Sequence, residues 1–179
     1  AALGTAQLRG LGTDDFAALN SAQIQALTTA QFASLGTDQL RGIETADFAA
    51  MQTADLRALG TAQIIALTTD QLGALDSGQF QSLSSAQVNA LTTAQLSQLS
   101  SADLNALTTA QFIALGSAQI TGLTTSQVST LETADLAALG TAQLRGLGTD
   151  DFAALNSAHI QAMTTAQFAS ITTDQLRAI

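Results

Sequence analysis

The chain contains no cysteine, proline, tryptophan, tyrosine or lysine. Without cysteine, disulfide frameworks and thiolate metal sites are excluded. Five arginines against 14 acidic residues give a formal net charge of −9, the wrong sign for a nucleic-acid or anionic-lipid partner. No apolar run approaches the roughly 20 residues of a membrane-spanning helix. What is present is 46% hydrophobic residues, which is ample for a core.

An eight-residue repeat runs through the whole chain without interruption. Each octad reads x-[Thr/Ser]-[Ala/Asp]-[Gln/Asp]-[Leu/Ile/Val/Phe]-x-small-[Leu/Ile/Met]. Its positions are numbered one to eight, so that residues 4–11 form octad 1 and the last of 22 octads ends at Ile179. We interpret residues 1–179 as a single repeat array. Because Ala1-Ala2-Leu3 begin in mid-octad, we expect it to be a piece of a longer array.

One octad has the features of a short, self-contained helix. Thr93 is the expected N-cap, since its hydroxyl can accept a backbone N–H of the first turn. Ala94, Gln95 and Leu96 favour helix, and Leu96 and Leu99 share one face. Glycine or asparagine at position one of the next octad is expected to end the helix in the left-handed conformation. The pattern therefore predicts helices of about six residues, roughly one and a half turns.

Two other architectures compete with this interpretation. In one long helix the apolar stripe would drift by roughly 80° per octad, so no seam would stay buried. A β-solenoid remains the alternative, although strand alternation would leave the position-eight leucine exposed, and alanine, glutamine and leucine prefer helix. We predict an all-α solenoid in which positions five and eight form the core. The small residues at position seven are expected to let helices approach closely, and position six, which carries every arginine, is expected to face solvent.

Variation at position five predicts how the solenoid coils. The residue agrees most often with the one four or five octads later, as in Phe16, Phe48, Phe80 and Phe112. Since stacked residues should resemble one another, we predict roughly four to five helices per coil. Residues 1–43 also match 137–179 at 38 of 43 positions, which fits four such coils or a recent duplication.

Acidic and imidazole side chains at position four are the first candidates for chemistry. His159 is the single histidine, too little for a zinc site, and the nearby Ser157 is expected to be a cap rather than a nucleophile. For the aspartates, a place in the first helical turn explains them better than cation binding does. We therefore predict no catalytic, cofactor-binding or metal site. The aspartates are Asp15, Asp47, Asp55, Asp103, Asp135 and Asp151.

Glutamine and threonine supply the remaining polar pattern. Glutamine occupies position four in fifteen octads, from Gln7 to Gln175, and either hydrogen-bonds between coils or helps to cap its own helix. Thr-Thr pairs, such as 92–93, would offer a regular surface to ice or glycan. Capping of the helix by the second threonine of each pair is the simpler explanation.

The tract LTTAQLSQLSSADLNALTTAQF, residues 91–112, resembles internal repeat arrays of very large secreted bacterial proteins of the adhesin or haemagglutinin type, associated with biofilms. The resemblance covers essentially the whole chain. It implies an extracellular or cell-surface stalk, with surface or matrix components as partners, and it carries over no catalytic or haem-ligand residue.

Three functions stay open at this point, and none of them is enzymatic. The first is a structural scaffold or stalk of a bacterial surface adhesin or matrix fibre. The second is a repeat module that binds glycan, ice or protein. The third is a filament subunit that assembles with itself end to end. The sequence predicts no cofactor, no nucleic-acid partner and no membrane span.

Overall fold

The computed structural model describes residues 3–179, and the chain forms two compact units, Ala1–Leu91 and Thr92–Ile179. Ala1 and Ala2, interpreted above as part of an incomplete octad, lie outside the described residues. That residues 1–179 act as one array stays a prediction. None of the helices in residues 3–179 is both long and apolar enough to cross a bilayer.

Each octad forms one α-helix of four to six residues, and residues 3–179 contain no strand. The all-α prediction is confirmed, and the β-solenoid alternative is wrong. In the first unit the helices are α1 (Thr5–Arg9), α2 (Thr13–Ala17), α3 (Ser21–Gln25), α4 (Thr29–Ser34), α5 (Thr37–Gly42), α6 (Thr45–Phe48), α7 (Thr53–Ala58), α8 (Thr61–Ala66), α9 (Thr69–Gly73), α10 (Ser77–Ser82) and α11 (Ser85–Ala90). In the second unit they are α12 (Thr93–Gln98), α13 (Ser101–Asn105), α14 (Thr109–Ala114), α15 (Ser117–Thr121), α16 (Thr125–Ser129), α17 (Thr133–Ala138), α18 (Thr141–Leu144), α19 (Thr149–Ala153), α20 (Ser157–Ala162), α21 (Thr165–Ser170) and α22 (Thr173–Ala178).

The N-cap is position one, not the position-two threonine that the sequence analysis favoured. In α12 the Thr92 hydroxyl accepts the N–H of Gln95 at 3.1 Å, and Thr93 is already the first helical residue. The first threonine caps the helix in the same way in all seven Thr-Thr pairs. Capping therefore does not account for the second threonine of a pair.

The predicted left-handed helix ends are also wrong. Among the described residues no residue has a positive φ, and the position-one Gly4 is an extended N-cap at φ −76°, ψ 162°. In α12 the helix ends instead because Leu99, at φ −63° and ψ 141°, turns to extended backbone and buries its side chain. The glycine at position one thus marks where a helix begins, since an N-cap also tolerates glycine.

The core consists of positions five and eight, as predicted. Position five is buried from Leu8 to Phe152, and position eight is buried from Leu35 to Leu147. Burial falls toward both ends of the chain. Position eight is only part-buried in the first three octads and at Leu155 and Ile171, and Ile179 is exposed. Position five is part-buried at Ile160 and exposed in the last two octads. Position five is therefore covered by octads that come after it, whereas position eight needs octads on both sides.

Helices pack laterally on those three octads further along, for example α2 on α5 in the first unit and α14 on α17 in the second. Side chains, described below, also connect octads four apart. One coil thus takes between three and four octads, fewer than the four to five predicted from position five. Similarity at position five does not report the number of octads per coil, because duplication produces similarity that packing does not require.

Position seven provides the close approach that its small residues predict. A Cβ added at Gly42 in α5 would lie 2.8 Å from the carbonyl oxygen of Thr13 in α2. This distance is shorter than a van der Waals contact allows, so the backbones of octads three apart meet here. All five position-six arginines are exposed, as the sequence predicts, whereas Asn105 at the same position is half-buried.

Replacing Thr68 by alanine is expected to lower the free energy of unfolding by about 1 kcal/mol, because the cap on the Gln71 N–H is lost. Thr69→Ala is the matched control, since Thr69 is exposed and is expected to change stability by less than about 0.5 kcal/mol. Urea unfolding followed by far-ultraviolet circular dichroism measures both. A larger loss for Thr69→Ala than for Thr68→Ala would contradict capping by position one.

Candidate functional site

The position-four side chain is the polar group that the fold places between coils. Gln71 in α9 is 1% exposed. Its Oε1 accepts the N–H of its own N-cap, Thr68, at 3.1 Å. Its Nε2 donates to the carbonyl oxygens of Leu40 and Ile43, both at 2.9 Å. These two carbonyls belong to positions five and eight of the octad four earlier. We call this arrangement, with Oε1 on its own cap and Nε2 on an earlier octad, the amide clamp.

The amide clamp recurs in both units. Each clamping glutamine donates to two carbonyl groups of an octad 28 to 31 residues earlier, and Gln167 and Gln175 donate to a third as well. In the first unit these residues are Gln39, Gln63, Gln71, Gln79 and Gln87. In the second unit they are Gln127, Gln143, Gln167 and Gln175.

The two roles that the sequence left open for glutamine are therefore both filled by one side chain. The carbonyl half of the amide completes a capping box, and the NH₂ half donates to two carbonyls at the C-terminus of an earlier helix. Of these two, the Leu40 carbonyl also accepts the N–H of Ile43. The capping half was readable from sequence, because Thr92 and Gln95 have the spacing of a capping box. The sequence also allowed bonds between coils, but not which acceptors they use, because the acceptors lie about 30 residues away.

Aspartate at position four connects coils through a different partner. It cannot donate, and accepts instead from a position-two hydroxyl three octads earlier. The Thr29 hydroxyl donates to Asp55 at 3.1 Å, and the Thr125 hydroxyl donates to Asp151 at 2.8 Å. Ser21 and Asp47 form the same pair, as do Thr109 and Asp135 at 2.9 Å. Asp15 and Asp103 accept the backbone N–H of their own N-caps, Gly12 and Ser100.

His159 occupies the glutamine slot with glutamine-like bonds. The Asn156 N–H donates to Nδ1 at 3.3 Å, and Nε2 lies 2.8 Å from the Leu131 carbonyl oxygen, which requires the proton on Nε2. The prediction that His159 replaces a glutamine is thus supported by its geometry. Ser157, two residues away, is exposed and is the first residue of α20, while Asn156 is the N-cap. The expected cap role of Ser157 is wrong by one residue.

Asp135 is a buried aspartate next to an acidic N-cap residue. It is 2% exposed, and this burial raises the pKa of its carboxyl above 3.8. The hydrogen bond from Thr109 opposes the rise, while the nearby negative charge of Glu132, the N-cap of the same helix, adds to it.

The arrangement supports structural rather than reactive chemistry at position four, since its side chains bond to backbone groups and to neighbouring hydroxyls. Across residues 3–179, no three histidine, cysteine, aspartate or glutamate side chains lie close enough to share a metal ion. Recognition of ice or glycan by the exposed second threonines stays a prediction.

Comparison with known protein families decides the classification. A model of the ALTTAQ repeat matches seven overlapping stretches, and these together cover the whole chain. They are residues 1–29, 11–42, 40–77, 72–101, 98–133, 128–165 and 147–179. The chain belongs to the ALTTAQ repeat family. None of the curated proteins compared with it matches.

The six letters of ALTTAQ correspond to positions seven and eight of one octad and positions one to four of the next. Threonine at position one caps, alanine at position three favours helix, and glutamine at position four makes the amide clamp. Leucine at position eight, which precedes the Thr-Thr pair, is core. The family match confirms the internal repeat and leaves an association with adhesins to be argued separately.

Replacing Gln71 by glutamate preserves the shape and the bond to Thr68 but removes the donor and places a charge beside two carbonyl oxygens. We expect it to lower the free energy of unfolding by about 3 kcal/mol or more at neutral pH. Gln7→Glu is the control, because Gln7 is exposed and its Oε1 bonds only to its own N-cap, Gly4. Equal losses in the two variants, measured by urea unfolding, would refute an inter-coil role for Gln71.

Because the folded-state pKa of Asp135 is raised, the folded protein holds this proton more tightly than the unfolded chain does. The contribution of protonated Asp135 to the free energy of unfolding is fully present below pH 3.8. It is lost as the pH rises through the folded-state pKa of Asp135. Asp135→Asn retains an acceptor for Thr109 and is expected to raise the unfolding midpoint at pH 7 but not at pH 3. Asp150→Asn, an exposed site in the same unit, controls for net charge. A midpoint at pH 7 that Asp135→Asn leaves unchanged or lowers would contradict the expectation.

Proposed function

We propose that this ALTTAQ array is a structural spacer: a stalk or scaffold that holds other parts of a bacterial surface adhesin or matrix fibre away from the cell. It performs no catalysis in this proposal. The observation that supports it most is the amide clamp, which uses the most buried polar side chains to connect successive coils.

The clamp makes each octad depend on its neighbours. A helix of four to six residues does not form alone in water, because nucleation is costly. Positions five and eight gain burial only when adjacent coils are present, as the part-exposed residues at the two ends show. Stability therefore accumulates with the number of octads, as expected of a solenoid, and length can be changed by adding octads without a new core.

Placement outside the cell rests on the resemblance of residues 91–112 to repeat arrays of large secreted proteins. The absence of cysteine agrees with it, since such a chain folds in any redox compartment. Antibodies raised against residues 1–179 should label intact cells of the organism that encodes the chain. Labelling that appears only after the cells are permeabilised would contradict this placement.

A tandem chain tests the spacer directly. Residues 1–179 followed by residues 4–179 continue the octad count, because Gly4 takes the position after Ile179. We expect the maximum dimension from small-angle X-ray scattering to be about twice that of the single chain. A second tandem with four glycine and serine residues at the junction breaks the count and is the control. A first tandem whose maximum dimension barely exceeds that of the single chain would contradict the spacer.

A further inference from the structure

His159 is the one position-four side chain that becomes positively charged when it binds a proton, since every other octad has glutamine or aspartate there. It lies in α20 of the second unit and is 2% exposed. It connects octad 20 (residues 156–163) to octads 16 and 17 (residues 124–139), and we call this contact the His159 joint. An imidazole ordinarily binds its second proton at about pH 6.5, so mild acid is enough to test the joint.

Both ring nitrogens of His159 are used in hydrogen bonds that only the neutral ring can make. Nδ1 accepts the N–H of Asn156 at 3.3 Å, and Nε2 donates to the carbonyl oxygen of Leu131 at 2.8 Å. Because Nε2 already carries a proton, a second proton has to bind at Nδ1. There it would face the N–H of Asn156, so that two donors meet and the bond to the N-cap is lost.

The charged ring would also lack a counter-ion within the joint. α20 packs on α17, whose acidic residues are Asp135 and the N-cap Glu132. Neither of them forms an ion pair with His159, and no other carboxylate in residues 3–179 does so. Asp135 is directed at the preceding coil instead, where it accepts from the Thr109 hydroxyl at 2.9 Å. A buried charge without a partner is costly, so protonation favours an open joint in which water can reach the ring.

The neighbouring octads add no counter-ion. Octads 16 and 21 contain no titratable side chain. In octad 19, Asp150 is exposed, and Asp151 accepts from the Thr125 hydroxyl at 2.8 Å. The nearby acids are thus either exposed or bonded to other groups.

We propose that His159 makes this joint acid-labile: below about pH 6 the contact of octad 20 with octads 16 and 17 opens. The opening has a defined place. On its other side α17 packs on α14, where Thr109 meets Asp135, and acid does not weaken that contact because the pKa of Asp135 is raised by burial. Mild acid therefore separates one coil contact of the second unit and leaves the preceding one closed.

Glutamine in the same slot gives no such sensitivity. Octad 3 (residues 20–27) has the sequence of octad 20 except that Gln23 stands for His159 and Leu27 for Met163. An amide offers one acceptor and one NH₂ donor group whatever the pH, and Gln71 uses both in its clamp. The acid response therefore depends on one side chain and not on the fold.

Urea unfolding of the full chain and of His159→Gln between pH 8 and pH 5 tests the proposal. Below about pH 6.5 the unfolding equilibrium constant of the parent should rise relative to that of the variant, by up to about tenfold for each pH unit. Acids that titrate in both chains cancel in this ratio. A ratio that is constant with pH, or that falls as the pH is lowered, would overturn the proposal.

Hydrogen exchange followed by mass spectrometry locates the opening. At pH 5.5, peptides from α20 should exchange about tenfold faster in the parent than in His159→Gln, whereas peptides from α9 should exchange equally in the two chains. Comparison at one pH removes the intrinsic pH dependence of exchange. Equal exchange of α20 in both chains would contradict an opening at the His159 joint.

Two further variants separate His159 from its surroundings. Asp135→Asn should retain the acid response of the parent, and loss of that response would assign it to Asp135 instead. Gln71→His places an imidazole in a clamp of the first unit and should make exchange of α9 faster than in the parent at pH 5.5 but not at pH 7.5. No acid response of α9 in that variant would contradict the argument from ring geometry. None of these results bears on the spacer, which requires only that reach grow with octad number.

Discussion

The amide clamp is the interaction on which the rest of the structure depends. One glutamine side chain completes the N-cap of its own helix and bonds two carbonyl groups of an octad about 30 residues earlier. Both ends of a very short helix carry backbone groups without intrahelical partners, and in these helices such groups outnumber the internal bonds. The clamp satisfies some of them at two helices at once. Each bond contributes about 0.5–1.5 kcal/mol net, and an unpaired buried carbonyl would cost a similar amount or more.

The clamp also explains why the octad tolerates so little variation at position four. Aspartate preserves inter-coil contact only by exchanging carbonyl acceptors for a hydroxyl donor, as Asp55 does with Thr29. Histidine preserves the bond to its own N-cap and one carbonyl of an earlier octad, as His159 does. Replacing glutamine by aspartate also has an electrostatic consequence. At Asp135, burial and the nearby Glu132 make the carboxylate harder to ionise. The polar atoms of these position-four side chains are used in hydrogen bonds, so they do not serve as reactive groups.

Local features were predictable from the sequence because they depend on neighbours within one octad. Helix formation, the apolar positions five and eight and the small position seven all follow from helix geometry and propensity. The cap was misplaced by one residue because two threonines stand side by side, although the spacing of Thr92 and Gln95 favoured the first. The number of octads per coil and the pairing of Thr29 with Asp55 were not predictable, since both depend on how separate octads stack. Residue identity at position five is only a weak guide to which octads stack on one another.

Hydrogen exchange of the glutamine side-chain amides, followed by nuclear magnetic resonance, tests the central claim most directly. Nε2 protons that bond to carbonyls of another coil exchange only when coils separate, whereas exposed amides exchange freely. In the dilute chain, Gln71 and Gln87 should therefore exchange slower by orders of magnitude than Gln7 and Gln23. Similar rates for all four would show that position-four side chains do not connect coils in solution.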